Sequence, residues 1–388
     1  MIRVVGSSTH YGNIDFETMF DAAMSNRPLE TPIDIQHTPC NGGFEAHELS
    51  RVSNSAKLAS KVLDRAWKQS QLPSHRNRLD GRGHRERDPK TALVVGYSLA
   101  QLDEAFLHTD SAKGTRGPYT LSTLRGNALT APLAIRFGIG GGTHIVSAAS
   151  ATGGQAIVTA GQLIKTGQVD RVAIVCLDHF SHPETERLMR VVGAVTDDPQ
   201  SLPLSKKRSG MRPMPAAAAM ILEREDVGKL RGMSPKVSWI NGVIRSDCHH
   251  LVAPEPTSTA LLEATQATLA QAGYPSNSIH WLSLHATGTQ LWDASEANAV
   301  RQMFAKKPPH LSAFKRTFGH TLAAAGLFEA IMLVEAMTRG IVSDPLEKLD
   351  SSLGLDTFVP TTAAGNALMW SAGMGGDIAV NLFGRQHG

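Results

Sequence analysis

Apolar residues come in short runs, separated by stretches in which they recur every three or four positions. Leu93-Val94-Val95-Gly96-Tyr97 and Val172-Ala173-Ile174-Val175-Cys176 read as buried strands ending in turns. Between them, Thr143 to Ala149 reads as a strand that stops at Ser150. From Ala156 onward, Ile157, Ala160, Leu163 and Ile164 fall at helical spacing. Ser150 is therefore expected on a strand-to-helix turn, at a helix N-terminus where backbone N–H groups are unpaired and point outward. The second half repeats the theme. Val237 to Ile240 and Ile279 to His285 are strand-like, and Thr257 to Ala272 and Leu322 to Met337 are helical. Asn366 to Ser371 and Ile378 to Phe383 close the chain as strands, and Met1 to Gly6 opens it as a strand and turn. Alternation of this kind predicts an α/β fold.

Composition narrows the function. A chain of 388 residues, 41% of them hydrophobic, can bury a large core, as one large domain or as two fused halves. A net charge of +3 gives no case for nucleic-acid binding. The cysteines Cys40, Cys176 and Cys248 are far apart and odd in number, which argues against a disulfide framework or a zinc site. No metal and no cofactor are expected. The N-terminal residues lack the charged leader and apolar core of a signal peptide, and the longest apolar run, Ala216 to Leu222, is too short to span a bilayer. A soluble, cytoplasmic protein without membrane or nucleic-acid partners is expected. The Arg- and Gly-rich segment His75 to Arg87 reads as a solvated loop, with a docking patch for an acidic carrier protein as the alternative.

Candidate chemistry gathers around two histidines. His285 stands in His285-Ala286-Thr287-Gly288-Thr289, followed by Asp293 and Glu296. His320 stands in Lys315-Arg316-Thr317-Phe318-Gly319-His320, followed by Ala324-Ala325-Gly326. Each is fenced by glycine, threonine and small residues, which let backbone approach a ligand closely. In this order and at this distance the two runs resemble the β-ketoacyl synthases, the condensing enzymes of fatty-acid and polyketide synthesis. The short chain is also similar to ketosynthase and chain-length-factor subunits of type II aryl-polyene pathways.

The resemblance spans nearly the whole chain and implies a thiolase-like, five-layered αβαβα fold made of two similar halves, with boundaries expected at 1–232 and 233–388. It implies that His285 and His320 bind a malonyl thioester carbonyl and stabilise the charge that develops when carbon dioxide leaves. Lys315 is implied to act electrostatically, through Glu296 or the histidines. Asp293 and Glu296 are expected as a supporting ion-pair network. Thr287, Thr289, Met374 and Gly375 are expected to contact substrate, the last two in a gating loop, Gly373-Met374-Gly375-Gly376-Asp377-Ile378. The implied partners are an acyl carrier protein and either a second copy of this chain or a ketosynthase-family partner. In the family the strand around Val172 to Leu177 pairs across the subunit interface, so an obligate dimer is expected.

One departure controls the functional reading. The family's reactive cysteine is replaced by Ser150, in Ala148-Ala149-Ser150-Ala151-Thr152-Gly153-Gly154. A helix N-terminus can lower a thiol pKa until thiolate is plentiful, but a serine hydroxyl needs an adjacent general base. Ser205 and Ser209 stand where the family has acidic residues, and Met214-Pro215-Ala216-Ala217 replaces a glycine–glutamate–glycine turn. Met374 replaces a phenylalanine, and Asp377-Ile378 a Thr-Asn pair. Three functions fit. The first is a chain-length-factor-like partner of a cysteine-bearing ketosynthase. The second is a Ser150-dependent acyltransferase or hydrolase acting on acyl carrier protein. The third is an engineered cysteine-to-serine variant of an active synthase.

Overall fold

The computed structural model describes residues 1–29, 41–73, 86–110, 119–357 and 365–385. Cys40 and most of the basic segment, residues 75–85, lie outside the described residues, and with them the docking patch. Ten strands are arranged in the order β3-β2-β4-β5-β1-β6-β10-β9-β7-β8. They are β1 Ile2–His10, β2 Thr91–Gly96, β3 Thr143–Val146, β4 Arg171–Asp178, β5 Ala216–Arg224, β6 Val237–Ser246, β7 Trp281–Ser283, β8 His310–Ser312, β9 Asn366–Ala372 and β10 Asp377–Arg385. The order and polarity of β1 to β5 are repeated by β6 to β10. In each set the first strand is antiparallel to the fifth, the fifth antiparallel to the fourth, and the fourth, second and third run parallel. Among the described residues, Ile2 and Arg3 join the sets, pairing with Trp239 and Ser238.

Period-two alternation sorts side chains into three apolar layers. Val172, Ile174 and Cys176 of β4 face an inner core, while Ala173, Val175 and Leu177 face an outer one. On β9, Ala367 and Met369 share that inner core, and Leu368 and Trp370 face the opposite outer layer. The inner layer holds the helices Thr152–Lys165 and Ala325–Arg339, which touch strands of both sets. Outside lie Asn54–Gln69 against the first set and Thr259–Ala272 against the second. Helix, sheet, helix, sheet, helix is the five-layered arrangement the resemblance implies.

The inner helices meet at their N-terminal ends. A Cβ on Gly153 would lie 2.4 Å from the Leu327 nitrogen, and one on Gly326 would lie 2.4 Å from the Gly154 nitrogen. Only glycine allows backbones this close, so Gly153-Gly154 and Gly326 dock the Ser150 turn beside the segment after His320.

Three expectations about elements shift. The strand before Ser150 ends at Val146, and the final helix begins at Ala325 after a 3-10 turn at Leu322–Ala324. The strand expected at a subunit interface is interior: β4 is hydrogen-bonded by β2 on one side and β5 on the other. The open edge of the first set is β3, where Ile145 is exposed. A strand paired on both sides has no free amides for a partner. Among the described residues no helix is long and apolar enough to cross a membrane.

Candidate active site

Ser150 stands on a tight turn between β3 and the Thr152–Lys165 helix. The residue before it, Ala149, has a φ of +45°, a conformation that costs a non-glycine residue strain. Thr152 holds the turn: its hydroxyl donates to the Ala149 carbonyl at 2.7 Å and accepts the Ala148 N–H at 2.8 Å. Ser150 opens onto a cavity of about 190 Å³, walled by Leu99, Leu188, Met189, Val192, Leu322 and Met374 among others. Asp178 also reaches this cavity.

His285 and His320 come together, their ring centroids 5.7 Å apart and nearly perpendicular. His320 Nδ1 accepts the Leu322 N–H at 3.1 Å, which leaves Nε2 to carry the proton. That Nε2–H is buried and has no hydrogen-bond partner among the described residues. Lys315 Nζ approaches His285 Nδ1 at 3.3 Å and donates to the His285 carbonyl at 2.7 Å. An ammonium only donates, so His285 also carries its proton on Nε2. Burial, followed by the Lys315 charge and, for His285, by its neighbour His320, holds both imidazoles well below their ordinary pKa. Both rings are therefore neutral donors at physiological pH.

The backbone that carries these rings is specified residue by residue. Gly319 has φ +74°, and a Cβ there would lie 2.7 Å from the Arg212 carbonyl. His320 N–H donates to that same carbonyl at 2.7 Å, and Met214 N–H donates to the His320 carbonyl at 2.8 Å. The segment that departs from the family's turn thus fixes His320 through its main chain.

Lys315 is paired with Glu329 at 2.5 Å, both buried. Of the two routes expected for Lys315, the histidine one is present, since Lys315 touches His285. Glu296 instead accepts the N–H groups of His285 and Ala286 with its two carboxylate oxygens, at 2.5 and 2.7 Å. Asp293 likewise accepts from Leu204 and Gly288, with Arg208 3.9 Å away. Both acids tie the His285 loop by its amides; Asp293 also takes the expected ion-pair role, through Arg208, which reaches Asp350 at 2.6 Å, whereas Glu296 binds amides. Burial raises both, Asp293 to about 6 and Glu296 to about 8.

The expected substrate contacts divide. Met374 lines the Ser150 cavity from the β9–β10 hairpin turn, and a Cβ on the adjoining Gly373 would lie 3.2 Å from the Ser150 nitrogen. Gly375 sits at the same turn but does not line the cavity. Thr287 and Thr289 turn their hydroxyls on each other at 3.0 Å. Neither imidazole lines the cavity that holds Ser150; the link between them is Leu322 and Ala323, just beyond His320.

Glu329 and Asp178 are site residues absent from the sequence reading. Glu329 had a legible signal, a single acid among Leu327, Phe328, Ala330, Ile331 and Met332, where burial demands a cation. Asp178 had a weaker one, an acid ending an apolar strand. Its Oδ1 accepts the N–H groups of Ser98, Leu99 and Ala100, and its Oδ2 accepts that of Ala323.

Known proteins share this architecture. The β-ketoacyl synthase N-terminal domain matches residues 35–227 and the β-ketoacyl synthase C-terminal domain residues 239–347. A 3-oxoacyl-(acyl-carrier-protein) synthase 2 of Mycobacterium tuberculosis is 27% identical over 356 residues, 87% of this chain and 82% of that protein. The polyketide biosynthesis malonyl-ACP decarboxylase PksF of Bacillus subtilis is 28% identical over 346 residues, 84% of this chain and 79% of that protein. Among solved structures, the ishigamide ketosynthase/chain length factor superposes with a TM-score of 0.82 at 20% identity, covering 100% of this chain and 99% of that one. With both family domains in sequence and the duplicated fold in place, the chain belongs to the β-ketoacyl synthase family.

Proposed function

We propose that this chain decarboxylates a malonyl-type thioester presented on an acyl carrier protein, and does not itself join acyl chains. The observation that carries this reading is the buried, unpartnered Nε2–H of His320 beside a second neutral imidazole. A desolvated donor with no acceptor is unfavourable in the resting protein and favourable once an oxyanion arrives. In the reaction the bond between the carboxylate carbon and the α-carbon breaks, carbon dioxide leaves, and its electron pair moves onto the thioester oxygen. The two imidazole N–H groups hold that enolate until a proton reaches the α-carbon. No covalent acyl-enzyme is required, so serine in place of cysteine removes condensation and leaves this step. The Bacillus subtilis relative's name, malonyl-ACP decarboxylase, accords with it.

A chain-length-factor-like role is the second reading. It is favoured by the likeness to the ishigamide ketosynthase/chain length factor and by the small cavity that Met374 lines. In that role the chain pairs with a cysteine-bearing ketosynthase, with β3 as the strand edge available to a partner. A Ser150 nucleophile has less support, because neither imidazole lines its cavity. The test is incubation with malonyl-carrier protein, followed by intact mass. Acetyl-carrier protein formed by wild type and by Ser150→Ala, and lost in His320→Ala, is the expected result. No acetyl product, with restored chain-length control in a reconstituted pair, establishes the partner role instead. An acyl adduct on Ser150 overturns both.

A further inference from the structure

Behind the cavity lies a second constellation that the chemistry above does not use. His179, the residue after β4, is buried. Its Nε2 lies 2.6 Å from Ser55 Oγ and its Nδ1 lies 3.4 Å from Asp103 Oδ2. Serine, histidine and carboxylate stand in the order of a hydrolase triad. The surroundings exclude that chemistry: Ser55 is fully buried, and Glu104 accepts its hydroxyl proton at 3.1 Å. With that hydroxyl donating to Glu104, the contact with His179 is satisfied when Nε2 donates. Nδ1 faces a carboxylate and donates as well. Donor counting thus gives His179 two protons and a positive charge.

Around this cation three elements converge. Ser55 lies in the first turn of Asn54–Gln69 and gives its N–H to Glu104 at 3.2 Å. Asp103 and Glu104 lie on the Ala100–Asp110 helix. Asp103 accepts the N–H groups of Ser181 and His182, each at 2.9 Å, just before the helix Pro183–Val191. That helix supplies Thr185, Leu188 and Met189 to the wall of the Ser150 cavity.

We propose that His179 is a positioning residue, a buried imidazolium cross-tie that holds the Pro183–Val191 helix as the cavity wall and releases it when the imidazole loses its charge. The charged groups facing the ring are Asp103 and Glu104 from the Ala100–Asp110 helix and Asp178 from its own strand, with the neutral Ser55 from Asn54–Gln69. Burial opposes the charge, but these acids outweigh it and raise His179 above the ordinary imidazole value. The sign follows: the stabilisation is complete below about pH 6.5 and is lost as pH rises through the higher native value. Wall loosening is an alkaline-side event.

Hydrogen exchange of the full-length chain tests this without reference to which reaction the site performs. Protection of residues 181–191, corrected for intrinsic rates, is followed from pH 6 to 9 against the Thr259–Ala272 helix as reference. The expected result is a fall of about tenfold per unit by which the native pKa exceeds the ordinary one, confined to 181–191. His179→Gln, which hydrogen-bonds but cannot titrate, is expected to give low, pH-independent protection there. Wild-type protection that does not change with pH overturns the proposal even where the variant does not fold. His179→Gln with wild-type protection overturns it as well.

Discussion

The Lys315–Glu329 pair gives the sharpest test of how the site is built. At 2.5 Å and an effective dielectric of about 20, the attraction is about 7 kcal/mol, while bringing each ion out of water costs several kcal/mol. Attraction and desolvation therefore nearly cancel. The pair adds little net stability, yet removing one partner strands a buried charge. Lys315→Met is expected to destabilise by about 3–5 kcal/mol, since Glu329 is left with no cation in contact. Glu329→Gln strands the ammonium less completely, because the His285 carbonyl still accepts from it at 2.7 Å. The double variant Lys315→Met/Glu329→Gln is expected to recover most of the loss. Its coupling energy should be at least about 2 kcal/mol by denaturant unfolding at pH 7. Sign and pH support each other: burial raises Glu329, so in Lys315→Met the acid takes up a proton and the cost shrinks as pH falls. Additive single-variant losses, with the double variant as unstable as their sum, would show that the two ions are not coupled, and the account of the site would fail.

Other outcomes follow from the same geometry. His320→Ala is expected to lower the decarboxylation rate by about 10²–10³-fold with little change in carrier-protein affinity, read from kcat and KM separately. Gly319→Ala is expected to cost at least about 1–2 kcal/mol and to weaken activity, because a Cβ at φ +74° meets the Arg212 carbonyl; an unchanged melting temperature would contradict it. His10 is lowered to about 4, chiefly by burial, so its contribution to stability is full above about pH 6.5 and is lost as pH falls below it. The difference between wild type and His10→Gln in urea melts across pH 4–8 isolates that contribution from the buried acids, whose slope is opposite. A second chain is expected to pair at the exposed β3 edge; where wild type sediments as a dimer, Ile145→Lys is then expected to sediment as a monomer, and no change would place the interface elsewhere.

Much of this protein was legible in one dimension. Short apolar runs announced β2, β4, β9 and β10, because an apolar run of that length with strand-formers has few other solutions. The two histidine motifs named the family, and Ser150 was placed on its turn by the change from strand to helix periodicity. Seven apolar residues from Ala216 to Leu222 showed a buried segment, but not that it would pair with both β1 and β4. Pairing across more than 200 residues leaves no mark on local pattern. The same holds for charge partners. Lys315 and Glu329 sit 14 positions apart and meet because a short helical turn and the loop around His320 fold back, whereas Glu296 had looked equally suited. Glu296 instead takes two amides of the His285 loop, a role any nearby acceptor could have filled on paper. Sequence determined which residues could carry chemistry, since that depends on side-chain type and local backbone freedom. Only the tertiary structure decided their protonation, their tautomers and their partners, because those depend on burial and on which distant segments are packed against them.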